Sequence, residues 1–449
     1  MNRRLASQIM NTLRPAGPAE SEIADLPSWN RRHWLETLPW LHASGLALPV
    51  LRVLRERGQE DLLPPDVRAR LERNQADNRQ RVLRMAEEFA ALNRCFENAG
   101  VRYAALKGFA LIPDYTPDAS LRAPADFDYL LAPESLSRAE QALREASYIR
   151  QGRDEGGTTV FFHSARPLRI PASDDELYSP ALPRRLELHT SLWNPGPEAI
   201  RALSLEAALE RARLRDEQGL CFPALADEDA LIFQVLHALR HIFDFWCRLS
   251  TLHEIAWFLE RRARDETFWA RIVARAEDEP GLPAAAGVVF TLVSKVFGAS
   301  LPTAIADWVR GKTPRAMALW VERYGRECAL ENFMGNKLSL LLRREFIPDA
   351  AAWRAAARKR LLPFHRPNRA AQAASPRISS RLTAAMKQSL HVARRAKFHL
   401  AAGLRYAWEL PRWHWALREI SRTVDSHGVE KPAPLPPAVP RGIIEDGNV

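Results

Sequence analysis

Between Trp29 and about Gly58 the apolar positions Trp34, Leu35, Leu38, Leu41, Leu46, Leu48, Val50 and Leu51 recur at helical spacing, with a break near Gly45. That pattern predicts two packed helices. A longer stripe of Leu71, Val82, Leu83, Met85, Ala86, Phe89, Leu92 and Phe96 predicts a helix from Pro65 to about Ala99, and Asn98-Ala-Gly100 supplies its stop signal. The first hundred residues therefore read as helical throughout.

The period changes at Val101. Val101–Leu106 reads as a short strand, Lys107-Gly108 as a turn, and Phe109–Tyr115 as a helical turn or two. Asp126–Leu131 reads as a second strand, followed by a helix through Ala146 with Pro133 and Glu134 in its first turn. Thr158–His163, Leu168–Ile170 and Arg185–Leu192 are further strand candidates between Gly-, Pro- and Asp-rich turns. From Asp227 the apolar face of Ala230, Leu231, Phe233, Val235, Leu236, Leu239 and Ile242 predicts a helix that Asp227 or Asp229 caps, with more helices to about Leu361. Pro363–Pro376 reads as a linker, Ala384–Ile420 as one or two basic helices, and KPAPLPPAVPR as a solvated tail. The expected fold is α+β, a small mixed sheet flanked by helical regions. Its expected divisions are residues 1–100, 101–195, 196–362 and 363–449.

A chain of 449 residues, 47% apolar and 26% charged, is a globular protein with room for about two or three domains. The start lacks the apolar stretch of a secretory signal, and the longest uncharged apolar run, near Ala284–Val293, is too short for a membrane span. Cys95, Cys221, Cys247 and Cys328 are scattered and read as buried free thiols, so the expected location is the cytoplasm. The net charge of +10 is local: between Arg354 and Arg422, sixteen Lys and Arg face two Glu, which leaves the rest slightly acidic.

Chemistry concentrates at Asp126 and Asp128. Two apart on a strand, they project from one face while Phe127, Tyr129 and Leu131 face the opposite way. Paired carboxylates hold hard cations, and two ions about 4 Å apart hold a nucleoside triphosphate and activate an attacking oxygen. Gly108 permits close backbone approach to phosphate, Lys107 and Arg122 offer cations, and a later strand carries Glu187 and His189 on one face.

Leu106-Lys-Gly108, Tyr115, Leu121–Leu131, Leu186-Glu-Leu-His189 with Trp193, and Asp227–Leu231 leading to His237 and His241 resemble the "uncharacterised nucleotidyltransferase" family of bacterial proteins. Trp34–Leu51 and Arg248–Ile255 extend the resemblance over most of residues 30–300. That family is similar to the polymerase-beta-like nucleotidyltransferases. The resemblance implies Mg²⁺- or Mn²⁺-dependent transfer of a nucleoside monophosphate from an NTP to an acceptor: a small molecule, sugar, peptide or protein. It makes Asp126, Asp128 and Glu187 the catalytic metal ligands, and places Lys107, Gly108, Arg122 and His189 around the nucleotide. Two features depart from the superfamily pattern. Phe109 stands where a serine usually follows the glycine, and Glu187 is one bond longer than the commoner aspartate. They motivate an alternative, a weak or inactive binding protein on the same fold.

His189 also reads as a structural histidine. His237 and His241 share a helical face at metal-ligand spacing but lack the accompanying Glu, so packing or cleft contacts are expected of them. Glu254 is expected to support the site, and Trp246, Trp257 and Trp269 to fill the core. The cationic, aromatic run Arg405–Trp415 suits an anionic membrane surface or nucleic acid. A solvated face packed by tryptophans is preferred, peripheral membrane contact is the alternative, and nucleic acid is not favoured.

Overall fold

The computed structural model describes residues 1–15, 29–124, 126–153, 158–166, 171, 173–193, 196–217, 219–244, 248–331, 337–362 and 378–427. The strand candidate Leu168–Ile170, the linker Pro363–Pro376, the Pro-rich tail, Trp246 and Cys247 lie outside these described residues.

Helix α1 (Arg3–Thr12) starts where the Asn2 side chain accepts from two backbone N–H groups. Helices α2 (Arg31–Ser44) and α3 (Ala47–Glu56) are the expected pair. Gly45 stands between them at φ 76°, and a β-carbon there would meet Ser250 Oγ at 2.8 Å. Helix α4 (Pro65–Asn98) runs 34 residues, about 50 Å, and ends before Gly100 at φ 61°.

A seven-stranded mixed sheet follows, in the order β3-β4-β5-β2-β1-β7-β6. Its strands are β1 (Tyr103–Ala105), β2 (Asp126–Leu131), β3 (Tyr148–Arg153), β4 (Thr159–His163), β5 (Arg185–His189), β6 (Arg213–Glu217) and β7 (Leu220–Ala224). Strand β2 pairs antiparallel with β1 and parallel with β5. Three strands were not expected from the sequence: β3, β6 and β7. The fold class is the expected α+β.

The two faces of β2 have opposite duties. Phe127, Tyr129 and Leu131 join Phe89, Phe96 and Leu92 of α4 in one apolar core, to which helix α5 (Leu136–Glu145) adds Ala139 and Leu143. Asp126, Asp128 and Leu130 face the other way. Leu130 and Ala104 enter a second core built from α1–α3, from α6 (Leu205–Glu210) before β6, and from the helices after β7, including α7 (Asp227–Phe243), α8 (Leu249–Arg261), α9 (Glu266–Glu277) and α10 (Leu282–Phe297). The carboxylates thus sit where an apolar sheet face gives way to a polar edge.

Several expectations change. Phe109–Tyr115 contains only a single 3₁₀ turn, Gly108–Leu111. Neither Asp227 nor Asp229 caps α7; its N-cap is Ala226. Asp227 instead bridges Arg215 and Arg262, and Asp229 bridges Arg211 and Arg275, because arginines from β6 and the neighbouring helices outcompete the helix end. Cys328 is buried, but Cys95 is half-buried and Cys221 is exposed near the sheet edge. Trp269 is buried and Trp257 half-buried. The basic C-terminal segment is one helix, Ile378–His427, which runs through Pro411. No described helix is long and apolar enough to cross a membrane.

Candidate metal and nucleotide site

Parallel pairing of β2 and β5 sets Asp126 opposite Arg185, Asp128 opposite Glu187, and Leu130 opposite His189. Cross-strand partners share a face, so both aspartates, Glu187 and His189 crowd one side of two adjacent strands. Lys107, one residue beyond the Leu106 N–H bonded to Asp128 O, brings Nζ to 2.9 Å from Asp128 Oδ1. His189 Nε2 lies 2.9 Å from the same oxygen and 3.8 Å from Glu187 Oε2. Its Nδ1 stands 3.3 Å from Thr158 Oγ1, which fixes the ring in the plane of that contact.

The surrounding loops are held by groups that sequence patterns do not single out. The Asn78 amide of α4 donates to Ser120 O at 2.6 Å and Arg122 O at 2.5 Å. The fully buried Arg81 donates to Pro124 O, Ser179 O and Leu182 O. Arg215 of β6 donates to Ala110 O and Ile112 O and pairs with Asp114, pinning the chain that follows Gly108. Gly108 itself has φ 65°, with open space where a β-carbon would stand. Phe109 packs its ring 5.1 Å from Phe89 in the core under the sheet, at the apolar wall of the recess that Asp126 and Asp128 also line.

Burial alone would raise the Asp128 carboxyl, but the Lys107 charge and the His189 hydrogen bond hold it well below the usual range. Burial, then the Asp128 charge, raises Asp126. Burial and the charges of Asp128 and Asp126 push Glu187 up to about 8. Lys107 is raised despite burial, because Asp128 and Asp126 favour its cation.

Asp128, Glu187 and His189 offer ligand atoms within 4.8 Å of one another. Asp126 shares their face but stands outside that tight group. Asp128 Oδ2 is buried and has no hydrogen-bond partner among the described residues. A buried carboxylate oxygen without a donor, beside two carboxylates that repel it, fits a hard divalent cation.

Arg122 does not point a free guanidinium at the carboxylates: it pairs with buried Glu254 at 2.7 Å and 3.4 Å. Arg122 still lines the small recess formed by Lys107, Gly108, Asp126 and Asp128. His237 and His241 approach each other at 3.0 Å between Nε2 atoms, and burial followed by the Lys107 charge lowers His237 far below its ordinary value. Arg248 was not singled out as a site residue. Its charge acts on Asp126, and in the sequence it stands only as the first residue of the family-like run Arg248–Ile255.

No curated protein matches the chain. Among solved structures, an antigenic nucleotidyltransferase-like protein from Paracoccidioides brasiliensis is 12% identical, over 49% of this chain and 94% of that one. Its TM-score of 0.26 is too low to argue from. The family described as "uncharacterised nucleotidyltransferase" matches residues 30–298, a stretch that holds all seven strands and every residue of the site. The chain belongs to that uncharacterised nucleotidyltransferase family.

Proposed function

We propose that the protein is a bacterial, cytoplasmic, polymerase-beta-like enzyme that moves a nucleoside monophosphate from ATP or another NTP to an acceptor hydroxyl. The observation that carries this reading is the cross-strand pair Asp128–Glu187, in which Asp128 Oδ1 meets Lys107 and His189 while Asp128 Oδ2 stays buried and unpartnered among the described residues. Asp128 and Glu187, with Asp126 beside them, would hold Mg²⁺ or Mn²⁺. Such an ion supplies charge neutralisation of the phosphates and makes the acceptor hydroxyl more acidic.

The chain's own groups account for the rest. Lys107, oriented by Asp128, offers its ammonium to the triphosphate, and the open side of Gly108 lets backbone approach phosphate. The Glu187 carboxylate takes the acceptor's proton. The acceptor oxygen forms a bond to the α-phosphorus, the bond from that phosphorus to the β-bridging oxygen breaks, and pyrophosphate leaves with the electron pair. His189 and Thr158 keep Asp128 in register for this step.

A second reading, a binding protein with weak or no turnover, is favoured by Phe109. Its ring belongs to the core, so no hydroxyl follows Gly108. The test is Mg²⁺-dependent binding and turnover of the four labelled NTPs by wild type and by Asp126→Asn/Asp128→Asn. Pyrophosphate release or label transfer that the double variant loses supports the enzyme. NTP binding without release supports the binding protein, and no metal-dependent binding overturns both.

A further inference from the structure

Beyond Arg122 the molecule holds a second, larger cavity of about 240 Å³ between α2–α3, the 115–124 loop and α8. Arg122 and Pro124 line both this cavity and the carboxylate recess, so the two meet there. Among the described residues the cavity is cationic: its wall carries Arg14, Arg52, Arg57, Arg122 and Arg248 against Glu56 and Glu254. The described charged residues of the lining thus sum to a formal +3, with Glu56 beside Arg52 at 2.8 Å and Glu254 beside Arg122.

Other features of the wall agree. Burial and the Arg122 charge lower the Arg248 guanidinium, as expected where cations crowd without enough counter-charge. Burial and the Arg52 charge hold His253 at about 4, so it is a neutral hydrogen-bonding group. The Tyr115 hydroxyl and Trp257 Nε1, on residues of the same wall, have no hydrogen-bond partner among the described residues. Arg52 also stacks its guanidinium 5.0 Å over the Trp257 ring, which fixes the fork in place.

We propose that this cavity is the acceptor site and that the acceptor is an anion, a small molecule carrying phosphate or a comparable oxyanion. The proposal rests on the nucleotidyl-transfer reading for the word acceptor. The cation excess, on the far side of Arg122 from Lys107 and Gly108, separates the acceptor's charge from the triphosphate. Guanidinium forks suit phosphate oxygens through paired, charge-assisted hydrogen bonds.

The probe is inorganic phosphate, titrated calorimetrically into wild type, Arg52→Gln, Arg248→Gln and Lys107→Ala, each checked for folding by circular dichroism. Wild type is expected to bind phosphate, the arginine variants about tenfold more weakly each, and Lys107→Ala unchanged. Phosphate affinity should also survive saturating Mg²⁺–ATP. Failure of wild type to bind, loss in Lys107→Ala with the arginine variants intact, or competition with ATP overturns the proposal. Arg52 lies near the surface of its helix, so Arg52→Gln carries the test if Arg248→Gln does not fold. Phosphate binding is read without turnover. A protein that turns over NTPs but ignores phosphate therefore loses only the cavity, and one that binds phosphate but never turns over NTPs loses only the transfer reading.

The C-terminal helix supports a second, independent inference. Trp413 is buried and packs near Tyr324, as a solvated helix seated on the core requires. Leu390, Leu400, Leu404, Trp408 and Trp415 are instead 51–67% exposed. At about 100° per residue these five fall within a single arc of about 80°, opposite Ala402, Tyr406, Trp413 and Ala416. Exposed Arg394, Lys397, Arg412 and Arg418 accompany the stripe, with Arg412 over the Trp408 ring at 4.3 Å. We infer that this face lies in the surface of an anionic bilayer, its leucines and tryptophans in the acyl boundary and its cations at the headgroups. The full chain should float with mixed phosphatidylglycerol–phosphatidylcholine vesicles, not with pure phosphatidylcholine, and Trp408→Ala/Trp415→Ala should stay unbound. Equal binding to both vesicles, no binding, or a stripe-dependent dimer in solution overturns it.

Discussion

Replacing Arg81 with methionine tests whether α4 holds the active loop in place. The guanidinium is fully buried and donates at 3.0 Å to Ser179 O, 2.9 Å to Leu182 O, and 2.8 Å and 3.3 Å to Pro124 O. Burial and the Arg184 charge lower it to about 10, so it remains a cation at neutral pH. Hydrogen bonds from a charged donor contribute about 1.5–3 kcal/mol each, so the three carbonyls together gain roughly 5–9 kcal/mol. Keeping a guanidinium out of water costs several kcal/mol, and methionine recovers that part while filling much of the volume. The net loss expected is about 3 kcal/mol. Arg81→Lys keeps the charge, but one nitrogen cannot span three carbonyls, so a loss of about 1–2 kcal/mol is expected. Urea unfolding followed by tryptophan fluorescence reads both numbers, and Mg²⁺ affinity of the folded fraction should fall as Pro124 loosens beside Asp126. A methionine variant within about 1 kcal/mol of wild type would refute the reasoning, because the carbonyls would then have found other partners.

Three further outcomes are expected. Gly108→Ala should lose about 1–2 kcal/mol of stability, since φ 65° is left-handed backbone while the added methyl meets open space; a loss of about 4 kcal/mol in urea unfolding would instead mean a clash. Burial, then the Arg70 charge, holds His42, bonded to the Tyr178 hydroxyl, at about 4. Because the unfolded chain takes up the proton first, at about 6.5, His42 removes up to about 3 kcal/mol of stability as pH falls from about 6.5 to about 4. His42→Gln should remove that share of the slope and leave the part that His237 and His253, lowered likewise by burial, contribute over the same range. Finally, Cys221 should react with a thiol reagent in the folded protein and buried Cys328 only after unfolding; fast labelling of Cys328 would show that its helix opens readily.

What the sequence made legible was whatever follows a period. The alternation Asp-Phe-Asp-Tyr-Leu-Leu assigned the faces of β2 correctly, and the stop at Asn98-Ala-Gly100 located the end of α4. The strands that escaped have no alternation to show. Tyr148–Arg153 and Arg213–Glu217 are the two edges of the sheet, where both faces tolerate polar side chains, and Leu220–Ala224 contains Pro223, which argues against a strand. Phe109 was visible as a missing hydroxyl, but its destination in the core depends on Phe89, twenty residues earlier in the chain. Arg81 was illegible for a related reason. An arginine in a helical stretch reads as surface, and only the folded loops show which carbonyls or carboxylates it serves.

The parallel pairing of β2 with β5 gives the site a tolerance of its own. Asp128 and Glu187 meet because a hydrogen-bonded ladder sets one opposite the other, while the chain between them wanders through a helix and a hairpin at the edge of the sheet. Between the elements of that excursion, residues can be inserted or deleted without moving either carboxylate, as long as β4 keeps its pairing with β5 and Arg81 its hold on Ser179 and Leu182. A shift of one residue in β5 itself would turn Glu187 into the opposite core and bring Leu186 or Leu188 to face the substrate. Change in length should therefore accumulate in the excursion while the short strand stays fixed in register, so that new specificities can be grafted beside an unaltered pair of carboxylates.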